Sequence, residues 1–438
     1  MSESVVGAAG ATPNVGLRLL RASALTMAVR AGAGVAAVLT FALLSRVLGA
    51  DQFGKFASGT SLALAASQAA GRGAPTTVLR FLAKYSVSDH DKAAAVRRWA
   101  DRRVAIGALG SVALLGLAAL AQLAQNEDAL YVVAAGPVLV AMTFTDLRSH
   151  QLRGIGHLPR SLFGREVFWR LTMLAAAGAL LLFGADVSAG FVLLVSAGLL
   201  ALGGLVQHRW LVKRLSPSAP GAGADPAWNT AAIGNWGLAV LRTAVPHGSV
   251  VVVGAVLSFA SAGLLFSSLR LAGLMSLPLT ALDFAIAPRI SRHAGQESRE
   301  QLQGLLTASI RLLTPISILS AVILAAAAEF LLQLFDPSVA SSPWPLRVIV
   351  AGALLNALCG PTVPLLQMAG QERFLFLARL VATAIGATLV LSAVFYGVVM
   401  AAVGVAVAQV GWNIAAVARA RRALGVDPSV LALVGRHS

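Results

Sequence analysis

Apolar residues run along this chain in long blocks, broken by short polar clusters that recur to its end. A helix that crosses a bilayer needs about 20 mainly apolar residues. Blocks of that length predict membrane helices over 22–46, 54–80, 103–124, 129–148, 165–183 and 188–207. A second set follows over 235–257, 260–287, 305–334, 344–369, 374–396 and 399–419. The joints on one side are short: "GADQFG", "QNED", "GADVS", "SFAS", "DPSVASSP" and "YG". Between the two sets, "SPSAPGAGADPAW" carries Pro, Gly and Ala without apolar periodicity and reads as a linker. The expected fold is all-α and polytopic, with twelve transmembrane helices in two pseudo-equivalent six-helix lobes around a central cavity. Residues 1–215 would form the N-terminal lobe, 216–234 a cytoplasmic linker and 235–438 the C-terminal lobe.

The equal halves invite a search for internal repetition. Sliding one half past the other by 209 residues puts Gly54 on Gly263 and Arg80 on Arg289, each arginine closing the second span of its half before a basic loop. The same shift brings Arg30 within one helical turn of Arg242. A six-helix repeat has an even number of crossings, so both copies share one orientation and are related by an axis along the membrane normal.

Composition agrees with the pattern. Hydrophobic residues make up 57% of the 438 and charged residues 12%, against about a quarter charged in a soluble domain. The net charge of +16 would suit nucleic acid, but its distribution does not. Lysine and arginine gather in "KYSVSDHDKAAAVRRWADRR", "LRSHQLRGIGHLPRSLFGREVFWR", "HRWLVKR", "PRISRHAGQESR", "GQERF" and "ARARRALG", with two spans between successive clusters. That is the positive-inside arrangement, with basic loops against anionic lipid headgroups and both termini cytoplasmic. A bacterial inner-membrane, multi-pass location is expected, with membrane lipids as partners and no nucleic acid. Some 20 polar and small residues, with Arg18 and Arg21, precede the first span, which reads as retained and not as a cleaved signal. The single cysteine, Cys359, excludes an internal disulfide framework and a Cys-based metal site. There is no phosphate-cradling Gly-Lys-Ser loop, no His/Glu metal spacing and no nucleophile elbow. No enzyme chemistry, cofactor or metal is expected.

Four arginines lie well inside predicted spans: Arg30, Arg72, Arg242 and Arg270. A mid-span arginine costs roughly 2.5–3.5 kcal/mol on insertion scales, so each must face water or an opposite charge. The candidate carboxylates Asp146, Asp283 and Glu329 lie near predicted span ends. The reading favoured here is a cationic, water-filled cavity between the halves, lined by all four arginines, with structural pairing as the alternative. Guanidinium suits phosphate because its planar fork holds two oxygens and its charge does not titrate. Asp283, Glu329 and His247 are candidates for proton or sodium coupling, although a cap or a partner for Arg289 explains the two acids better, and a core histidine beside Pro246 explains His247 at least as well. Pro75, Pro246, Pro278, Pro315 and Pro361 would bend or break helices. Asn356, Gln367, Gln409 and Asn413 serve either as polar glue or as cavity lining.

The segment "LLSRVLGADQFGKFASGTSLALAASQAAGRGAPTTVLRFLAKY" resembles the first helical hairpin of polysaccharide flippases in the multidrug/oligosaccharidyl-lipid/polysaccharide (MOP) superfamily. Arg46, Leu48, Gly49, Phe53, Gly54 and Arg80 carry that likeness. "SAGLLFSSLRLAGLMSLPLTALDFAIAPRISR", ending in Pro288 and Arg289, is similar to the family's eighth helix. "LRVIVAGALLNALCGPTVPLLQMAGQERF" is similar to its tenth, with a Gly-x-x-Arg turn at Gly370 to Arg373. The resemblance implies a MATE-like fold and the O-antigen flippase branch. Its expected substrate is an undecaprenyl-pyrophosphate-linked oligosaccharide, flipped by rocking lobes whose cationic cavity holds the pyrophosphate and acidic sugars. It also implies ion-gradient coupling, a monomer, and a polysaccharide polymerase or ligase as partner. Twelve spans weigh against the lipid II flippase branch, which carries an extra pair. A multidrug extruder of the same superfamily is the nearest alternative, but cationic drugs call for acidic cavity residues. An integral membrane enzyme of polysaccharide assembly would need a larger outer loop than any seen here.

Overall fold

The computed structural model describes residues 13–124, 129–214, 225–276, 299–335 and 342–433 of the chain, and it is helical throughout. Among these residues, eight helices are long and apolar enough to cross a membrane, and Phe259–Met275 and Trp344–Leu358 are shorter apolar helices. In chain order the helices of the first half are α1 (Pro13–Gly71), α2 (Ala74–Ser88), α3 (His90–Ala124), α4 (Leu130–Gly154), α5 (Leu158–Leu162), α6 (Arg170–Leu182) and α7 (Ala189–Val212). Those of the second half are α8 (Pro226–Val256), α9 (Phe259–Ala272), α10 (Arg299–Ala326), α11 (Ala328–Gln333), α12 (Trp344–Leu358), α13 (Thr362–Met368), α14 (Glu372–Leu391), α15 (Ala393–Tyr396) and α16 (Val398–Leu424). Helix meets each of the twelve expected spans, the one over 260–287 only as far as residue 276, where the described residues end. Two of them share α1, which turns at Gly49 (φ 68°, ψ 174°), a conformation that glycine adopts without a Cβ penalty.

Several helices start earlier than the apolar blocks suggest. The seventh begins at Pro226, inside the expected linker: Asp225 caps it by accepting from the Ala227 amide (2.8 Å), and Pro226 takes the first position. The fifth begins at Leu158 with Pro159 in its first turn, runs as a π-helix over Phe163–Trp169 and continues as α6. Arg165 and Arg170 therefore stand well inside a crossing instead of at its edge.

Two spans are broken. Between α1 and α2 the chain passes through Arg72 (φ 47°) and Gly73 (φ 72°), and Arg72 is the one non-glycine residue with positive φ among the described residues. The carbonyls that the break frees find donors on neighbouring helices. Trp236 Nε1 of α8 donates to the Ala69 oxygen (3.0 Å), and Arg103 Nε of α3 donates to the Arg72 oxygen (3.0 Å). The tenth span breaks at Gly360 (φ 70°) and Pro361 between α12 and α13.

One end of the molecule carries the basic loops; the opposite, far end is closed by apolar packing between α1 and the second half. Phe41 and Phe53, both packed on Phe56, meet Phe266, and Phe53 also meets Phe335, with ring centroids 5.0–6.3 Å apart; all five are buried. Each such pair adds about 0.5–1.5 kcal/mol beyond area burial. The helices approach so closely that a Cβ on Gly54 would lie 1.8 Å from the Phe259 carbonyl oxygen. A Cβ on Gly263 would lie 3.6 Å from the Gly54 Cα. The two glycines matched by the 209-residue shift thus face each other across this contact.

Candidate anion cavity

A cavity of about 300 Å³ lies among α8, α9, α12, α14 and α16. Its polar wall consists of Arg242, His247, Arg270, Ser276, Asn356, Arg379 and Gln409, and no carboxylate lines it among the described residues. Every lining residue falls between 241 and 409, so the cavity belongs to the second half and not to the seam between the halves.

Two of its arginines rest on aromatic rings. The Arg270 guanidinium lies 4.5 Å from the Phe266 centroid and 5.2 Å from that of Phe41. Arg379 lies 4.7 Å from the Trp412 centroid. Stacking of this kind contributes about 0.5–2 kcal/mol and covers the faces of the guanidinium, so its in-plane N–H groups are what remain for a ligand. Arg242 is solvent-exposed at the cavity wall, and its charge reaches Arg379. Asn356 is oriented from behind: its Oδ1 accepts from Asn413 Nδ2 (2.7 Å), while Thr362 donates to Asn413 Oδ1. The amide nitrogen of Asn356 is therefore the end left for the cavity. The Nδ1 atom of His247 is buried with no hydrogen-bond partner among the described residues.

A second cationic group, in the first half, lies outside the cavity lining but acts on it through charge. The π-helical turn carries Arg165 and Glu166 and leads into Arg170, and the charges of Arg165 and Arg170 both reach Arg270. Arg170 pairs with Glu166 (3.2 Å) and donates through Nη1 to the Ala33 oxygen (2.8 Å). Arg153 of α4 lies within reach of Arg30, Asp146 and Glu166.

No protein-family model matches the chain, and no curated protein matches its sequence. Solved structures do match. An inward-facing multidrug-resistance MATE transporter of the MOP superfamily aligns at TM-score 0.64 and 13% identity, over 91% of this chain and 94% of that one. A MOP superfamily transporter from Pyrococcus furiosus, described as having a binding pocket of reverse polarity that suggests a different function, aligns at 0.57 and 13% identity over 93% and 95%. An outward-facing MATE transporter aligns at 0.55 and 12% identity over 91% and 95%. The fold is MATE-like.

This fold brings together only part of the expected site. Arg242, His247 and Arg270 share the cavity. Arg30 does not line it and lies instead with the charges around Arg153. Arg72 sits at the break between α1 and α2 beside Arg103, because the helix that would have carried it into the interior stops at Gly71. Glu329 pairs with Arg347 (3.7 Å), is largely exposed and stands outside the cavity, because α11 lies at the far end. Asp283 lies outside the described residues. Asp146 contacts His150 (3.6 Å).

Sequence reasoning placed Arg165 and Arg170 in a basic cluster at a span edge and did not single out Arg379. For Arg165 and Arg170 the available signal was "HLPRS", in which a proline marks the true helix start. Arg379 stands seven residues into α14, about 10 Å along the helix at 1.5 Å per residue.

Proposed function

We propose that this protein flips a polyprenyl-diphosphate-linked oligosaccharide, of the undecaprenyl-pyrophosphate class, from the cytoplasmic to the periplasmic leaflet of a bacterial inner membrane. The observation that carries this reading is the cavity wall of Arg242, Arg270 and Arg379, with no carboxylate among the described lining residues. Two ring-stacked guanidiniums with free edges suit the paired phosphoryl groups of a diphosphate, which take bidentate donors. Asn356 and Gln409 add neutral donors and acceptors suited to sugar hydroxyls. The basic end faces the cytoplasm, as do both termini, and residues 1–215 and 235–438 act as lobes whose rocking closes and opens the aromatic contact, exposing the cavity to either side in turn. A polymerase or ligase would take the product.

The names of the structural relatives favour a second reading, drug extrusion by the same fold. A cationic wall restricts such cargo to neutral or anionic molecules, because an organic cation would enter without a counter-charge.

Purified protein in proteoliposomes tests both readings. Fluorescent polyprenyl-diphosphate saccharide should be translocated by the wild type and not by Arg270→Ala, with inorganic diphosphate as a competitor and a cationic dye without effect. Arg270→Lys should retain part of the activity, keeping charge and losing the stacked fork. Full activity of Arg270→Ala, or competition by the dye, would reject the anion cavity.

A further inference from the structure

We propose that a trough along α3, α4 and α7 binds an anionic phospholipid of the inner leaflet, with its phosphate at Arg97 and one acyl chain in an apolar groove. The site lies in the first half, apart from the anion cavity, and does not depend on the cargo proposed above.

The groove encloses about 710 Å³ and is lined by apolar residues alone, from 112–116 of α3, 130–141 of α4 and 194–201 of α7. Helix α4 packs against both of the others and forms the floor. Three glycines keep the groove open. Gly116, Gly136 and Gly198 all line it, and a Cβ on any of them would meet no atom within 4 Å. Glycine disfavours a helix, and at Gly54 a touching backbone requires it. Here no protein neighbour does. The missing side chains leave room for an apolar chain that comes from outside the protein.

Followed toward the basic end, the same three helix faces carry charge. On α4, Ala141, Pro137 and Leu130 lie seven, eleven and eighteen residues before Arg148, close to two, three and five turns. On α7, Ala201 and Leu194 lie seven and fourteen residues before His208. On α3, Val112 and Leu115 lie eleven and fourteen residues after Asp101, and Arg97 stands one turn before it. At 1.5 Å per residue the groove begins about 10 Å from the charged groups and ends about 27 Å from them. An inner-leaflet acyl chain covers half of a hydrocarbon core about 30 Å thick. From a phosphate at the charged end, such a chain reaches well into the groove.

The charges at that end do not cancel. Asp101 Oδ1 accepts from Arg148 Nη1 (2.7 Å) and from Gln151 Nε2 (3.0 Å), so this carboxylate serves Arg148. Arg97 and His208 belong to the same cluster, and among the described residues Asp101 is the one acid whose charge reaches them. Two arginines and a histidine thus share a single acid. Arg97 is half-buried, so a phosphate can approach its outer end, while its Nε and Nη1 have no hydrogen-bond partner among the described residues. Basic pockets between membrane helices on the cytoplasmic side suit anionic head groups, and a guanidinium holds phosphoryl oxygens through its fork. A zwitterionic lipid brings its own cation and gains less. Lipid seated here touches the first half alone, and so holds that lobe in the inner leaflet while the other rocks.

The test is native mass spectrometry of the full chain released from micelles that carry phosphatidylglycerol or phosphatidylcholine. The wild type should keep one phosphatidylglycerol about fivefold more tightly than phosphatidylcholine, the share that one basic residue contributes near a membrane surface. Arg97→Gln should remove that preference, and Arg97→Lys should keep part of it. Gly198→Leu fills the groove and should weaken retention of both lipids. Gly178→Leu on α6, where a Cβ also meets no atom within 4 Å, should change neither. Unfolding temperatures in lipid-free micelles check that the variants are intact, and if Arg97→Gln does not fold, Arg97→Lys and the groove variant decide. Equal retention of the two lipids by the wild type, or unchanged retention in a folded Gly198→Leu, overturns the proposal. Displacement of the lipid by inorganic phosphate also overturns it, marking an ion site without a chain, as does preferred retention of a polyprenyl diphosphate, marking a cargo groove.

Discussion

At Gly54 one missing carbon decides how closely two helices meet. Neither rotamer choice nor side-chain flexibility can accommodate a Cβ there, because the obstacle at 1.8 Å is the backbone oxygen of Phe259. Gly54→Ala should therefore destabilise the far-end contact by about 1–3 kcal/mol, the usual range for overpacking, and lower the unfolding temperature in detergent. Ala50→Gly, one turn away, serves as a control without the clash. Arginine chemistry at this scale is set by neighbours. Arg270 lies against two rings and faces open space, whereas Arg148 is spent on Asp101 (2.7 Å) and on Gln151 (2.7 Å). The two residues are indistinguishable by type, and only their surroundings separate a ligand-facing guanidinium from a structural one.

At the scale of elements, the breaks in otherwise continuous helices are what the apolar pattern hides. The break at Gly360 is held from below by the turn that follows α16. A Cβ on Gly360 would lie 2.0 Å from the Pro428 oxygen, and Gln303 of α10 clamps Asp427 through its amide (2.7 Å) and carbonyl (2.9 Å). The Asp427 carboxylate pairs with Arg421 (2.6 Å) and accepts from Ser429. Burial works against its charge, but the bonds from Arg421 and Ser429 outweigh it and hold the pKa below the usual carboxylate value. A lowered folded-state value means that this stabilisation is complete above the unfolded pKa of about 3.9 and disappears as the pH falls through the lowered one. Cys359, buried beside the break, is a ready reporter. Its labelling by a maleimide near neutral pH should be slow in the wild type and faster in Asp427→Asn. An equal rate in both would show that the turn does not support the break.

For the molecule as a whole, alternating access requires the far-end contact to open once per cycle. Ser58 of α1 and Gly254 of α8 lie on either side of it, and a Cβ on Gly254 would sit 2.7 Å from Ser58 Oγ. Cysteines at both positions, in a Cys359→Ser background, come within the Cβ separation that a disulfide accepts. Oxidation should lock the far end and stop translocation, and reduction should restore it. Transport that continues with the disulfide formed would rule out rocking that opens this contact.

Sequence alone determined the class of this molecule. Twelve apolar blocks, their basic joints and a 209-residue echo follow from how bilayers select for length, charge and burial, and such signals are local or periodic. Arg242 and Arg270 were legible as cavity residues because a charge deep in an apolar block has few places to go. The partners of each charge, by contrast, were decided only by tertiary structure. Arg379 joined the cavity because α14 packs against α8, and Arg165 and Arg170 came within reach of Arg270's charge beside a π-helical turn that no composition window detects. Arg72 left it because α1 ends at Gly71 and the carbonyls freed there are capped by side chains from α3 and α8. Depth in a helix is written in the order of residues, but the direction a side chain faces depends on which helices come to lie beside it.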